Sequence, residues 1–237
     1  MLDVYVAVDL EMTGLRARTD RILEIGAAKV KQGNIKETFQ CLVNPRMKLR
    51  EEIIRLTGIT NQMAKQGIDT GEAVKGFLEF AENLPLVGHN IIYDYSFLKQ
   101  YTVNHGIPLE KEAIDTLKLA RKFLPEVEKK TLDYLCESLK IKRARNHRAL
   151  EDAKATAELL EYLKVRFGAV EPQAFEPKVL QYKVKKQGPA TSVQKRHLKE
   201  LLEYHKIELD RELDSLTRNE ASRITDKILA SYGKVAR

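Results

Sequence analysis

The sequence has no uninterrupted apolar run of the ~18 residues that a membrane-spanning helix requires. Its N-terminus lacks the basic-then-apolar pattern of a secretory signal, so a cytoplasmic location without membrane association is expected. Cysteine is scarce. Cys41 and Cys136 stand alone, with no C-x-x-C spacing and no Cys/His cluster. That excludes a disulfide scaffold, gives a zinc site no support, and predicts two reduced core thiols. Internal repeats are missing as well.

What remains is a chain of 237 residues, 43% hydrophobic, enough for one medium domain plus an appendage. The net charge of +7 points to a polyanionic partner such as nucleic acid. The basic run "KIKRARNHR" (140–148) carries Lys140, Lys142, Arg143, Arg145 and Arg148 with no acid among them. In isolation such a run reads as a solvated loop.

The runs 4–14, 21–30 and 35–44 have β character, and "KQGN" between the last two reads as a hairpin turn with Gly33 and Asn34 free to take positive φ. From residue 49 the periodicity becomes helical. Ala73, Val74, Phe77, Leu78 and Ala81 form one stripe that Asp69 or Thr70 can cap. "PLVGHN" (85–90) reads as a short buried strand before a helix that Gly106 ends. "AIDTLKLARKFL" and "TLDYLCESL" read as short helices, followed by a long helix from 148 with Ala149, Ala153, Ala157, Leu160 and Leu163 facing inward. Strands first, helices after, and one later strand returning to the sheet predict a three-layer α/β fold.

At Gly168 the pattern changes. Residues 169–190 hold three prolines and no helical stripe, and read as a linker or extended arm. Residues 191–237 read as a two-helix module opened by capping boxes at Thr191–Gln194 and Thr217–Glu220, the second helix burying Ala221, Ile224, Ile228 and Tyr232. So small a unit is expected to dock on something.

The chemistry centres on "VYVAVDLEMTG" (4–14). Alternation along a strand puts Asp9 and Glu11 on one face with Tyr5 and Ala7. Two acids at a buried sheet edge repel and lose hydration unless a cation sits between them. The other reading is a strand that ends at Asp9, with both acids solvated. Two further acids are placed to converge: Asp94, opening a helix after a buried strand, and Asp152, on the small-residue face of the long helix. His147 precedes Asp152 by five residues. Four carboxylates with an imidazole suit a two-metal hydrolytic site, where the ring takes a proton from water.

"DLEMTG", "GHNIIYDYSFL" and "HRALEDA" resemble, in order and spacing, the three motifs of the DEDDh 3′→5′ exonucleases. Within that family the chain is most similar to the proofreading type of bacterial replicative polymerases, the epsilon subunit and the exonuclease domain of PolC. The likeness extends through "ILEIGAAKV", "NPRMKLREEIIRLTGIT" and "IDTLKLAR". Arg148 stands where a tyrosine-type relative carries Tyr, and His147 places the chain in the histidine class.

The resemblance, which covers residues 1 to about 166, implies an RNase H-like fold with a mixed central sheet, so the exonuclease domain is expected over 1–168, ahead of the arm (169–190) and the C-terminal helical module (191–237). It implies two divalent ions, Mg²⁺ or Mn²⁺, held by Asp9, Glu11, Asp94 and Asp152. On that resemblance Asp9 would bridge the two ions, Glu11 and Asp152 would serve the ion carrying the attacking water, Asp94 would serve the leaving-group ion, and His147 would be the general base. Met12 and Thr13 are expected at the terminal nucleotide, with Thr57, Asn90, Tyr93 and Leu98 lining its pocket, although the epsilon subunit has His at the position of Thr57. Beside such a site Lys142, Arg143, Arg145 and Arg148 become a candidate phosphate track. The expected partner is a single-stranded or frayed 3′ end of DNA, cut to nucleoside monophosphates, with a polymerase in another chain as a possible companion. Exoribonuclease activity and non-catalytic binding of nucleic-acid ends are the alternatives.

Overall fold

A computed structural model describes residues 2–143 and 147–235. Three antiparallel strands open the chain: β1 (Val4–Met12), β2 (Ile22–Lys31) and β3 (Asn34–Leu42). The turn between β2 and β3 places Gln32 and Gly33 at positive φ, 51° and 72°. Asn34 instead begins β3 and donates from its amide to the Gln32 carbonyl, so the left-handed pair lies one residue earlier than expected.

Three helices follow, α1 (Glu51–Thr57), α2 (Asn61–Lys65) and α3 (Thr70–Ala81). Asp69 caps α3 by accepting from the Gly71 N–H at 2.8 Å. Then come β4 (Leu86–Gly88), α4 (Ile92–His105), β5 (Glu112–Asp115), α5 (Thr116–Phe123), α6 (Leu132–Leu139) and α7 (Ala149–Phe167). A 3-10 turn (Pro172–Phe175) leads to β6 (Lys178–Val179), and α8 (Ser192–Tyr204) and α9 (Arg218–Tyr232) close the chain.

The sheet order is β3-β2-β1-β4-β5-β6, with β4 and β5 parallel to β1 and β6 antiparallel to β5. Three strands therefore follow the opening hairpins rather than one. The start of "AIDTLKLARKFL" is the strand β5, not a helix. It has four residues, of which Ala113 and Ile114 are buried, too few to show a period before α5 takes over.

Alternation along β1 divides the core. Val6, Val8 and Leu10 pack with Val74 and Phe77 of α3 and Tyr95 and Leu98 of α4. Tyr5 and Ala7 pack on the other face with Leu119 of α5, Leu135 of α6 and Leu159, Leu160 and Leu163 of α7. The result is a three-layer α/β fold around a mixed sheet.

The arm after α7 lies against this body. Phe175 is fully buried and stacks on Phe123 at 5.5 Å between ring centres. Further on, the Gln187 N–H donates to Asn104 Oδ1 at 2.8 Å. Helices α8 and α9 share an apolar cluster with Leu198, Leu201, Leu216, Ala221 and Ile228 at its centre. Both capping boxes form. Tyr232, expected inside, is 61% exposed and lies beside the His205 ring, because the cluster ends at Ile228 and Leu229. Among the described residues no helix is long and apolar enough to cross a membrane.

Candidate active site

Asp9 and Glu11 lie on the face of β1 that α7 covers. Asp9 pairs with Gly26 of β2, and Glu11 with Glu24. Gly26 is the reason α7 can come so close. A Cβ built there would stand 2.0 Å from the Leu150 backbone nitrogen and 2.1 Å from the Ala149 carbonyl carbon. Any other residue would lift the first turn of α7, which carries Asp152, away from the two strand acids.

Glu24 seats the same turn. Its fully buried carboxylate accepts from the Ala149 N–H at 3.0 Å, from Arg148 Nη2 at 2.6 Å and from Gln40 Nε2 at 2.8 Å. An anion at the start of a helix also meets the positive end of its dipole. Glu24 is thus a structural acid that seats the start of α7.

Asp94 arrives from the other side of the sheet edge. β4 stops at Gly88, and the Leu10 N–H turns to Asp94 Oδ1 at 3.1 Å. Asp94 lies in the first turn of α4, which follows β4 after a short connection.

Asp152 accepts from Arg143 Nη1 at 2.5 Å and from the His147 N–H at 3.1 Å. His147 takes a positive φ of 56°, and its Nε2 is 3.5 Å from Asp133 Oδ2. Glu11, His147 and Asp152 offer ligand atoms all within 4.8 Å of one another.

The electrostatics of the four acids agree with their crowding. Burial, then repulsion from Asp94, Glu11, Asp152 and Glu24, pushes the Asp9 carboxyl well above its ordinary range. Burial, then Asp152, Glu24 and Asp94, raises Glu11 to about 8 against the lowering effect of Arg148. Burial raises Asp94 to about 8 although the Leu10 N–H favours its anion. Asp152 is raised by burial despite Arg143 and His147. Among the described residues, Arg143 and Arg148 lower Asp152 and Glu11 without returning either acid to its ordinary range, and the cluster consists of hard oxygen donors. Both features fit a divalent cation with a preference for oxygen ligands.

The remaining expected residues are placed as follows. Thr13 is buried, its Oγ1 accepting from the Arg21 N–H and its carbonyl from Arg50 Nη2, both at 2.9 Å. Met12 is half-buried beside it at the end of β1. Asn90, at φ 68°, donates its N–H to Asp115 Oδ1, and Tyr93 is 41% exposed at the start of α4. Thr57 and Leu98 are enclosed instead. Thr57 Oγ1 donates to the Ile53 carbonyl and accepts from the Ile59 N–H, while Leu98 packs in the core.

Of the basic run, Lys142 is exposed, Arg143 is committed to Asp152 and Asp133, and Arg148 to Glu24. Arg145 lies outside the described residues. The two arginines therefore brace the site from within the protein. Sequence reasoning passed over Gly26, whose only signal was a glycine in mid-strand.

This fold and site define a class. The exonuclease family model (RNase_T) matches residues 6–160, and the chain belongs to that family. It is 41% identical over 155 residues to the DNA polymerase III PolC-type of Caldanaerobacter subterraneus subsp. tengcongensis, a match covering 65% of this chain and 11% of that protein. It is 38% identical over 161 residues to the Bacillus subtilis DNA polymerase III PolC-type, covering 67% and 11%. The chain thus matches about a tenth of the length of these relatives.

Among solved structures, E. coli exonuclease I in complex with a dT13 oligonucleotide aligns with a TM-score of 0.65 at 17% identity, over 72% of this chain and 43% of that one. Exonuclease X in complex with 5′-overhanging duplex DNA aligns with a TM-score of 0.56 at 24% identity, over 69% and 93%. At these identities the likeness establishes the RNase H-like fold.

Proposed function

We propose that this chain is a metal-dependent 3′→5′ exonuclease that shortens single-stranded or frayed DNA, releasing nucleoside monophosphates. The observation that carries the reading is the convergence of Asp9, Glu11, Asp94 and Asp152 from β1, α4 and α7. Burial opposes the ionisation of all four, and at Asp9 and Glu11 repulsion from the other acids of the cluster adds to it. Building such a cluster costs stability, and a cationic ligand offsets that cost. The PolC-type relatives support DNA as the substrate.

Asp9, Glu11, Asp94 and Asp152 would hold two divalent ions. Bound there, the ions would polarise the phosphodiester and acidify a water molecule. His147, partly exposed beside Glu11 and Asp152, would accept the proton of the attacking water. Thr13, held through both its carbonyl and its hydroxyl, would present a fixed backbone to the terminal nucleotide. Arg143 would hold Asp152 in place, and Arg148 with Glu24 would fix the helix start behind it.

The test uses one oligodeoxynucleotide labelled at the 5′ end or at the 3′ end, with Mg²⁺. The reading predicts a descending ladder from the 5′-labelled strand and immediate release of a mononucleotide from the 3′-labelled one. Release of a mononucleotide from the 5′ label at the outset, with no ladder before it, would refute the polarity. An RNA strand cut much faster than DNA would move the assignment to the ribonuclease alternative. A strand retained on a native gel but never shortened would mean an end-binding protein.

A further inference from the structure

The segment from Thr13 to Arg21 follows the two strand acids directly and is closed at its base. The Thr13 N–H donates to the Arg21 carbonyl, and the Arg21 N–H returns to Thr13 Oγ1, both at 2.9 Å. What anchors this loop to the rest of the protein lies about two hundred residues away in sequence. Arg21 Nη2 donates to both oxygens of Glu220, at 2.8 and 3.0 Å, and reaches the Ser215 carbonyl at 3.5 Å. The Glu220 side chain is only 6% exposed. It also accepts from the Thr217 N–H and hydroxyl, and from Arg211 at 3.4 Å.

A second grip reinforces the first. The Lys48 N–H donates to the Asp210 carbonyl at 2.6 Å and the Glu212 N–H to the Arg46 carbonyl at 2.9 Å, so residues 210–212 lie as a short antiparallel bridge along 46–48. Two residues beyond that bridge, Arg50 holds the Thr13 carbonyl. Thr13 is therefore fixed from two directions, and each route runs to the C-terminal module. Among the described residues, the module's apolar cluster is built from its own segment, 190–229. A cavity of about 410 Å³ lies at the seam, with Ala17, Arg18 and Arg21 on one wall and Ser215 and Thr217 on another.

From these contacts we infer that the C-terminal helical module is a positioning element for the active-site loop, with Glu220 as the positioning residue that acts through Arg21. The inference rests on the exonuclease reading and gives the module a role in it. A bidentate carboxylate–guanidinium pair fixes both distance and orientation, which a loop directly following the two strand acids needs. Glu220 also closes the capping box of α9, and that second duty can be separated from the first. Gln194 closes the equivalent box of α8, so glutamine at 220 preserves the cap while removing the charge that holds Arg21.

The experiment compares the 237-residue chain with Glu220→Gln, Arg21→Gln, their double variant and Glu203→Gln, whose ion pair with Lys199 is exposed. Two quantities are read well below every Tm: kcat/KM on 5′-labelled single-stranded DNA, and hydrogen exchange of the amides in 13–21. The expected result is a fall of about tenfold in kcat/KM for either single variant and no further fall in the double, since one interaction has been removed twice. Exchange in 13–21 should quicken while α4 is unchanged, and Glu203→Gln should match the parent. A lower Tm for Glu220→Gln with unaltered kcat/KM and unaltered exchange would overturn the inference and leave the module a brace. If the parent protein cuts nothing, the exonuclease reading falls, and exchange of 13–21 still decides whether the module orders this loop.

Discussion

Replacing Glu11 with glutamine should make the metal-free protein more stable, and by an amount that grows with pH. Glu11 has an ordinary carboxyl value of 4.5 and is raised to about 8 in the fold by burial and by Asp152, Glu24 and Asp94. The sign follows from linkage. The folded state keeps a proton that the unfolded chain gives up, so this group favours the fold below pH 4.5 and loses that advantage as pH rises towards 8. Each pH unit in that window is worth about 1.4 kcal/mol, which amounts to about 3 kcal/mol at pH 7. For a chain of this size that corresponds to a Tm change of up to about 10 °C.

Glutamine keeps the shape and carries no charge. Thermal unfolding in EDTA should therefore give coincident curves for parent and Glu11→Gln near pH 4.5 and a clearly higher Tm for the variant at pH 7 to 8. Saturating Mn²⁺ should reverse the order, because a ligand that binds only the folded parent stabilises it by mass action. A variant whose advantage is equal at both pH values, or absent at pH 8, would refute the reasoning.

Other perturbations separate the parts of the site. His147→Ala should lower kcat by roughly 10²- to 10⁴-fold with little change in Tm, since a half-exposed ring acting as base contributes mainly to proton transfer. Gly26→Ala should cost about 1–3 kcal/mol in denaturant unfolding and abolish most activity, because its methyl group would meet the Ala149–Leu150 backbone. Glu24→Ala should cost about 3–5 kcal/mol by the same measurement, leaving the Arg148 charge and the Ala149 N–H without their buried acceptor.

The four acids were legible in the sequence because each violates its local context. Asp9 and Glu11 interrupt a strand, Asp94 follows a buried strand, and Asp152 sits on a face of alanines. The layer division was equally legible, since the alternation of Tyr5 and Ala7 against Val6 and Val8 depends on nothing beyond the strand. What escaped depends on distant partners. Arg143 and Arg148 read as free cations because Asp152, Asp133 and Glu24 come to them only in the fold. β5 was hidden by its length, and Tyr232 lies beyond the point where the α8–α9 cluster ends. Glu220 reads from sequence as a helix cap, which it is; its grip on Arg21 spans 199 positions and leaves no local trace.

The central claim is that the carboxylate cluster binds divalent ions and uses them to hydrolyse DNA from the 3′ end. The most direct measurement is a time course on 5′-labelled single-stranded DNA with Mg²⁺ or with EDTA, for the parent, Asp9→Asn and His147→Ala. The account predicts a ladder descending one nucleotide at a time in Mg²⁺, abolished by EDTA and by Asp9→Asn and slowed by orders of magnitude by His147→Ala. An undiminished ladder in either variant or in EDTA, or an uncut strand with the parent protein in Mg²⁺, would contradict it.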